Sequence, residues 1–219
     1  MKLLESYFRL RKRELFAGIL LINILIIWLS QTITFNETVF INSYSDHLTY
    51  HRTLDLLNSM KSVSWIAYLL YPVMLLLKIT AIGFIIYTGV FFSDVQNEIT
   101  LGKVITVVLA SEIVLVAGAI AKLLWFVFVN GNYSLDDFRF FYPLSLINLF
   151  SRSEVAEYWV YPLQTVNLFH FLYILMLAAG LAKISSVSRM ITDKIIVLTY
   201  IPAMVLWIVL IMFLTVDIS

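Results

Sequence analysis

Hydrophobic residues in this chain fall into runs, and five of them are long enough to cross a bilayer as helices: 15–33, 65–92, 104–129, 159–182 and 195–216. A membrane helix needs about 20 mostly apolar residues to cover roughly 30 Å of hydrocarbon. A sixth apolar piece, 138–150, contains Arg139 and Pro143 and is too short to cross. It predicts a short interfacial or re-entrant helix near 143–150, with Pro143 in the first turn, where a missing N–H costs nothing. The longest polar interval, 34–64, predicts a further helix near 45–60 whose apolar side is Tyr50, Leu54 and Leu57. Near the start, Leu3, Leu4, Tyr7 and Phe8 recur at helical spacing. That stretch reads either as a surface helix with basic residues at the headgroups or as a short tail. The pattern as a whole predicts an all-α fold: one integral membrane domain over 1–219, a polytopic bundle of five transmembrane helices.

Composition sharpens this reading. Of 219 residues, 61% are hydrophobic and 13% charged, far from the ~45–50% and ~25% of soluble domains. The absence of cysteine excludes disulfides, thiolate metal sites and cysteine nucleophiles. A net charge of +1 gives no reason to expect a nucleic-acid partner. Basic residues followed by an apolar run resemble a secretory leader, but the run is long and no small-residue cleavage site follows Trp28-Leu29-Ser30-Gln31. A retained first span is expected.

Loop charge sets orientation, since Lys and Arg stay on the cytoplasmic side. With the N-terminus inside, nine basic residues fall inside and four (Arg52, Lys61, Arg139, Arg152) outside. The expected topology is N-in, C-out, with the 45–60 helix external. Two glycosylation acceptor patterns, Asn36-Glu37-Thr38 and Asn132-Tyr133-Ser134, then lie outside.

Ionisable groups inside a span are functional candidates by default. Lys78, Glu112 and Lys122 are such groups. Lys78 is 14 residues from Phe92, about 21 Å at ~1.5 Å per residue; Glu112 is eight residues past Val104, about 12 Å. A lysine stem bridges much of that offset, so an ion pair between antiparallel neighbours is expected, as a register lock or as part of a proton or substrate relay. Lys122 is expected to snorkel to the headgroups. Gln164, Asn167 and His170 follow one another at intervals of three on the fourth run, which reads as one polar helix face turned into the bundle. Interhelical hydrogen bonding or a lined path with Glu112 are its two readings. Small residues cluster at Ala117, Gly118, Ala119 and Ala121 and again at Ala178, Ala179, Gly180 and Ala182; they predict close packing between spans, with a homodimer face as the lesser use.

In the 45–60 helix, His47, His51 and Asp55 stand at i, i+4 and i+8. Two histidines one turn apart can share a metal, but this set spans two turns and lacks the general base of H-E-x-x-H. A solvated polar side is the expected use, with metal binding the weak alternative. No G-x-S-x-G and no phosphate-binding loop occurs. No enzyme activity and no cofactor is expected.

The C-terminal half carries a recognisable pattern. Tyr142-Pro143-Leu144-Ser145-Leu146-Ile147-Asn148-Leu149-Phe150 is a Pro-x-Ser-Leu segment before a span. Val166-Asn167-Leu168-Phe169 leads into Tyr173-Ile174-Leu175-Met176-Leu177-Ala178-Ala179-Gly180-Leu181, and a basic, serine-rich turn (Lys183 to Arg189) precedes the last span. Over about 136–216 this resembles the bacterial branch of the Yip family of Rab-interacting membrane proteins. The resemblance implies five spans, a cytoplasmic N-terminus and a bacterial cytoplasmic membrane. The long polar N-terminal region of the GTPase-binding relatives has no counterpart before Leu15, so GTPase binding is not implied. The function expected is a non-enzymatic membrane protein working through lipid or helix partners, including other membrane proteins or a second copy, as an accessory or scaffold subunit of an export or envelope system. A small transporter or channel built on Lys78, Glu112, Lys122, Gln164, Asn167 and His170 is the alternative; an intramembrane enzyme is the third.

Overall fold

A computed structural model describes residues 11–44 and 48–218. Among them every regular element is helical. Nine α-helices follow in order: α1 (Lys12–Thr34), α2 (Glu37–Tyr44), α3 (Tyr50–Val63), α4 (Ile66–Phe92), α5 (Leu101–Phe128), α6 (Leu135–Phe140), α7 (Glu157–Thr165), α8 (Leu168–Ile184) and α9 (Arg189–Ile218). Four of these, α1, α4, α5 and α9, are long and apolar enough to cross a membrane; α8 is apolar but shorter.

α5 is the axis of the bundle. α1, α4 and α8 pack directly on it, and α9 closes the ring by packing on α4 and α8. This enclosure leaves every residue from Thr106 to Glu112 buried, so the stretch can be apolar or small all round. On α4 the inward positions are Leu75, Ile79, Gly83, Ile86 and Val90, steps of three and four that keep one face toward α5 and α9. Its other faces expose Leu69, Met74, Leu77 and Phe84, a surface suited to hydrocarbon. Gly89 permits the tight α4–α9 approach: a Cβ there would stand 2.5 Å from Thr199 Cγ2.

The two ends of the bundle differ. At one, the α4–α5 turn meets the α8–α9 turn through a hydrogen bond from Ser186 Oγ to Glu98 Oε2, and Lys12 of α1 lies against Gly102. At the other, α2, α3, α6 and α7 form a cap. Phe126 of α5 packs with Val39 and Tyr133 there, and the Tyr133 hydroxyl donates to Ile33 O at 3.1 Å. Ser43 Oγ accepts from the Leu135 backbone N–H at 2.7 Å, tying α2 to α6.

Several expectations need correction. The 159–182 run is not one helix: α7 ends at Thr165 and α8 begins at Leu168. Asn167 caps α8 by accepting from the His170 N–H at 2.8 Å. The freed backbone groups pair with the preceding loop, Leu146 N–H to Val166 O at 3.0 Å and Leu168 N–H to Leu144 O at 3.1 Å. These bonds supply what lipid cannot, so a break is tolerated. The helix expected at 143–150 is absent. Leu144 has φ of 53° in the left-handed region, which interrupts any helix begun at Pro143, and only the 3-10 turn Leu146–Leu149 follows. The 45–60 helix starts at Tyr50, not 45, and 45–47 lie outside the described residues. It buries Thr53 and Leu57 while Tyr50 is exposed, so its covered side is turned one position from the one expected. Residues 3–8 also lie outside the described residues.

Candidate functional site

Glu112 sits in the fully enclosed part of α5 and is 4% exposed. The neighbouring helices meet both of its carboxylate oxygens. Lys78 Nζ of α4 lies 2.8 Å from Oε2, and the Tyr173 hydroxyl of α8 donates to Oε1 at 3.3 Å. Tyr71 of α4 and Tyr200 of α9 lie within electrostatic reach of the same carboxylate. Tyr173 packs its ring 5.7 Å from that of Tyr200 and 6.2 Å from the imidazole of His170. Four helices thus converge on one buried anion. The pair is lopsided: the Glu112 side chain is 5% exposed and that of Lys78 43%. Lysine is the partner that reaches in from the helix edge, its stem covering apolar surface. Beside this network Ser111 Oγ is buried without a hydrogen-bond partner.

The other residues singled out in the sequence do not join this cluster. Gln164 lies on α7 and donates through Nε2 to the carbonyls of Arg139 and Phe140 at 2.6 and 2.7 Å, fastening α7 to the end of α6. Asn167 is spent on the break, its Nδ2 donating to Gln164 O and Thr165 O. Only His170, in the first turn of α8, reaches the network, near enough to feel the Lys78 charge. The expected single polar face therefore does not exist, because the helix is interrupted between Gln164 and His170. Lys122, expected at the headgroups, holds its ammonium 4.5 Å from the centroid of the Phe138 ring of the cap. Such a contact offsets part of the cost of withdrawing the charge from water.

In the cap, Glu157 has two basic partners. Arg152 hydrogen-bonds Glu157 Oε1, and Arg139 stands 3.4 Å from Oε2. The Arg152 bond, followed by the fields of both guanidiniums, holds the Glu157 carboxyl below the usual carboxylate range. His51 and Asp55 are exposed on α3, and His47 lies outside the described residues. Among the described residues no three His, Asp or Glu side chains gather to hold a metal.

The sequence reading did not anticipate the second feature, a cavity of about 810 Å³ between the cap half of α5, the start of α8 and the 141–150 loop. Its wall is aromatic, made by Trp125, Phe126, Phe140, Phe141 and Phe169. Trp125 stacks on Phe141 with centroids 5.1 Å apart, and Phe126 meets Phe141 edge-on at 5.5 Å. Gly118 makes room for this wall, since a Cβ there would stand 2.7 Å from the Tyr142 hydroxyl and 3.0 Å from Phe169. None of Lys78, Glu112, Lys122, Gln164, Asn167 or His170 lines the cavity. The density of Phe and Tyr between 125 and 150 was the available signal. Hydropathy counts those residues only as apolar.

Comparison with protein families, curated proteins and solved structures finds no match to this chain.

Proposed function

We propose that this chain is a non-catalytic integral membrane module that acts through lipid and helix partners, as an accessory or scaffold subunit in a bacterial cytoplasmic membrane. The observation that carries this reading is the separation of the embedded charge from the cavity. Glu112 has a partner on each oxygen, and the cavity is lined by none of Lys78, Glu112, Lys122, Gln164, Asn167 or His170. A conduction path needs polar groups that face water along its length. A closed ion pair between α4 and α5 instead fixes the register of the two helices.

The proposed topology has five crossings, the fourth discontinuous, with the N-terminus inside and the C-terminus outside. α8 alone, at 17 residues, extends about 25 Å, short of the hydrocarbon thickness. α7 continues the path beside α9, joined by a hydrogen bond from Trp207 Nε1 to the Tyr161 hydroxyl at 3.0 Å. The basic residues concentrated at the end that holds the α4–α5 and α8–α9 turns support a cytoplasmic side for that end. The Yip-like shape inferred from the 136–216 pattern agrees with this count.

Reconstitution into liposomes loaded with a pH-sensitive dye tests the reading. Proton and monovalent-cation leak through the wild type is expected to equal that of liposomes carrying the Glu112→Gln variant. A wild-type flux that Glu112→Gln abolishes would overturn it in favour of a transporter.

A further inference from the structure

The lining of the aromatic cavity also holds polar residues, and the one charged side chain among them is Asp137. Ser145 Oγ and Asn148 Nδ2 both donate to the same carbonyl, Tyr142 O, at 2.7 and 2.6 Å. The single donor of Ser145 is thereby spent and its oxygen lone pairs remain, while Asn148 keeps a second amide N–H beside its carbonyl oxygen. Asp137 belongs to the same lining. Its Oδ2 accepts from the Ser134 N–H and hydroxyl in a capping box, which leaves Oδ1 as an acceptor with negative charge. Asn130 adds an amide to the lining. Cationic side chains that would balance Asp137 are engaged elsewhere, Lys122 over Phe138 and Arg139 beside Glu157, and neither lines the cavity. The mouth is apolar: Leu144 is 63% exposed and Phe150 46%.

An acidic carboxylate in an open aromatic cleft with exposed apolar side chains at its edge complements one kind of molecule. It is an amphiphile whose head donates hydrogen bonds and carries positive charge, and which enters sideways from the bilayer. The volume lies within the range of small-molecule sites, ~300–1,000 Å³. The stacked Trp125–Phe141 pair leaves little rearrangement for a ligand to induce. We propose that this cavity binds a lipid with a primary ammonium head, its acyl chain along Trp125 and Phe169 and its ammonium at Asp137, Ser145 and Asn148. This deepens the reading of the chain as a lipid-acting module and depends on it.

The test uses the full chain in nanodiscs and the quenching of tryptophan by brominated acyl chains. The protein has five tryptophans, so the signal is the part of the quenching that Trp125→Phe removes. Brominated phosphatidylethanolamine is expected to quench this part about fivefold more efficiently than brominated phosphatidylcholine, whose methylated head has no donor, as one net hydrogen bond would give. Asp137→Asn keeps an N-terminal helix-capping side chain but loses the charge, and it should bring the two lipids to parity. Ala121→Phe, which fills the cavity from α5, should abolish the Trp125 component for both. Equal quenching by the two lipids in the wild type, or a phosphatidylethanolamine preference that survives Asp137→Asn, would overturn the proposal. Equal quenching by brominated phosphatidylglycerol and phosphatidylethanolamine would also overturn it, because a hydroxyl head would then suffice. Each of these failures leaves the liposome result untouched, whereas a Glu112-dependent flux would overturn the parent reading directly.

Discussion

The Lys78–Glu112 pair could be foreseen because helix rise is a fixed number and the two charges had nowhere else to go. Tyr173, which completes the network, could not, because hydropathy treats a tyrosine as apolar and its hydroxyl shows its purpose only once a neighbour is placed. The asymmetry in exposure makes a sharp prediction. Lys78→Met strands a carboxylate that is 5% exposed with one tyrosine for company, whereas Glu112→Gln leaves an ammonium that is 43% exposed and free to turn outward. Removing one member of a buried pair costs about 3–5 kcal/mol, and exposure discounts it. Lys78→Met should therefore lower stability by about 3 kcal/mol and Glu112→Gln by roughly half that. Replacing both residues with methionine should recover much of the Lys78→Met loss, since no lone charge remains. Thermal melting in detergent measures all three; equal losses for the single variants would refute the asymmetric lock.

At the level of whole elements, α1, α4 and α5 match the expected runs to within three residues and α9 begins six residues before the expected 195, because long apolar stretches leave few alternatives. The fourth run failed because one spacing has two meanings. An interval of three between Asn167 and His170 marks a shared helix face when the helix continues, and a cap with its N3 amide when the helix begins. Side chains alone do not decide between them. The partner that decided is the 141–150 loop, whose backbone closes onto 166–168. Substitution at Asn167 separates the two cases. In a continuous span Asn167→Leu would be neutral or stabilising, because it replaces a polar group in hydrocarbon with an apolar one. In the broken helix it removes the cap and both amide donors, and a loss of about 1–2 kcal/mol is expected, with Asn167→Asp, which keeps the acceptor, falling between. Equilibrium unfolding in mixed micelles gives the order, and a stabilising Asn167→Leu would mean that the break is not there.

Across the whole molecule, hydropathy gives the order of the helices but not their neighbours, so the central place of α5 was not readable from the chain. The small-residue clusters on α5 and α8 came nearest to it, since those two helices do pack together with Ala178 and Gly180 buried. Topology is the property at this scale on which the rest turns, and the natural absence of cysteine makes it straightforward to measure. Single cysteines at Asn97, in the α4–α5 turn, and at Ser188, before α9, lie at the end assigned to the cytoplasm. Cysteines at Ser59 on α3 and Asn132 in the cap lie at the other. In intact cells an impermeant maleimide should label Ser59→Cys and Asn132→Cys, and should label Asn97→Cys and Ser188→Cys only after the membrane is opened. The reverse pattern would invert the orientation of the three crossings between these positions. Labelling of Asn97→Cys and Ser188→Cys on opposite sides of the membrane would be different in kind. It would require α5 or the α7–α8 segment to fail to cross, separate the two turns that the Glu98–Ser186 bond joins, and dissolve the geometry that brings Tyr173 to Glu112.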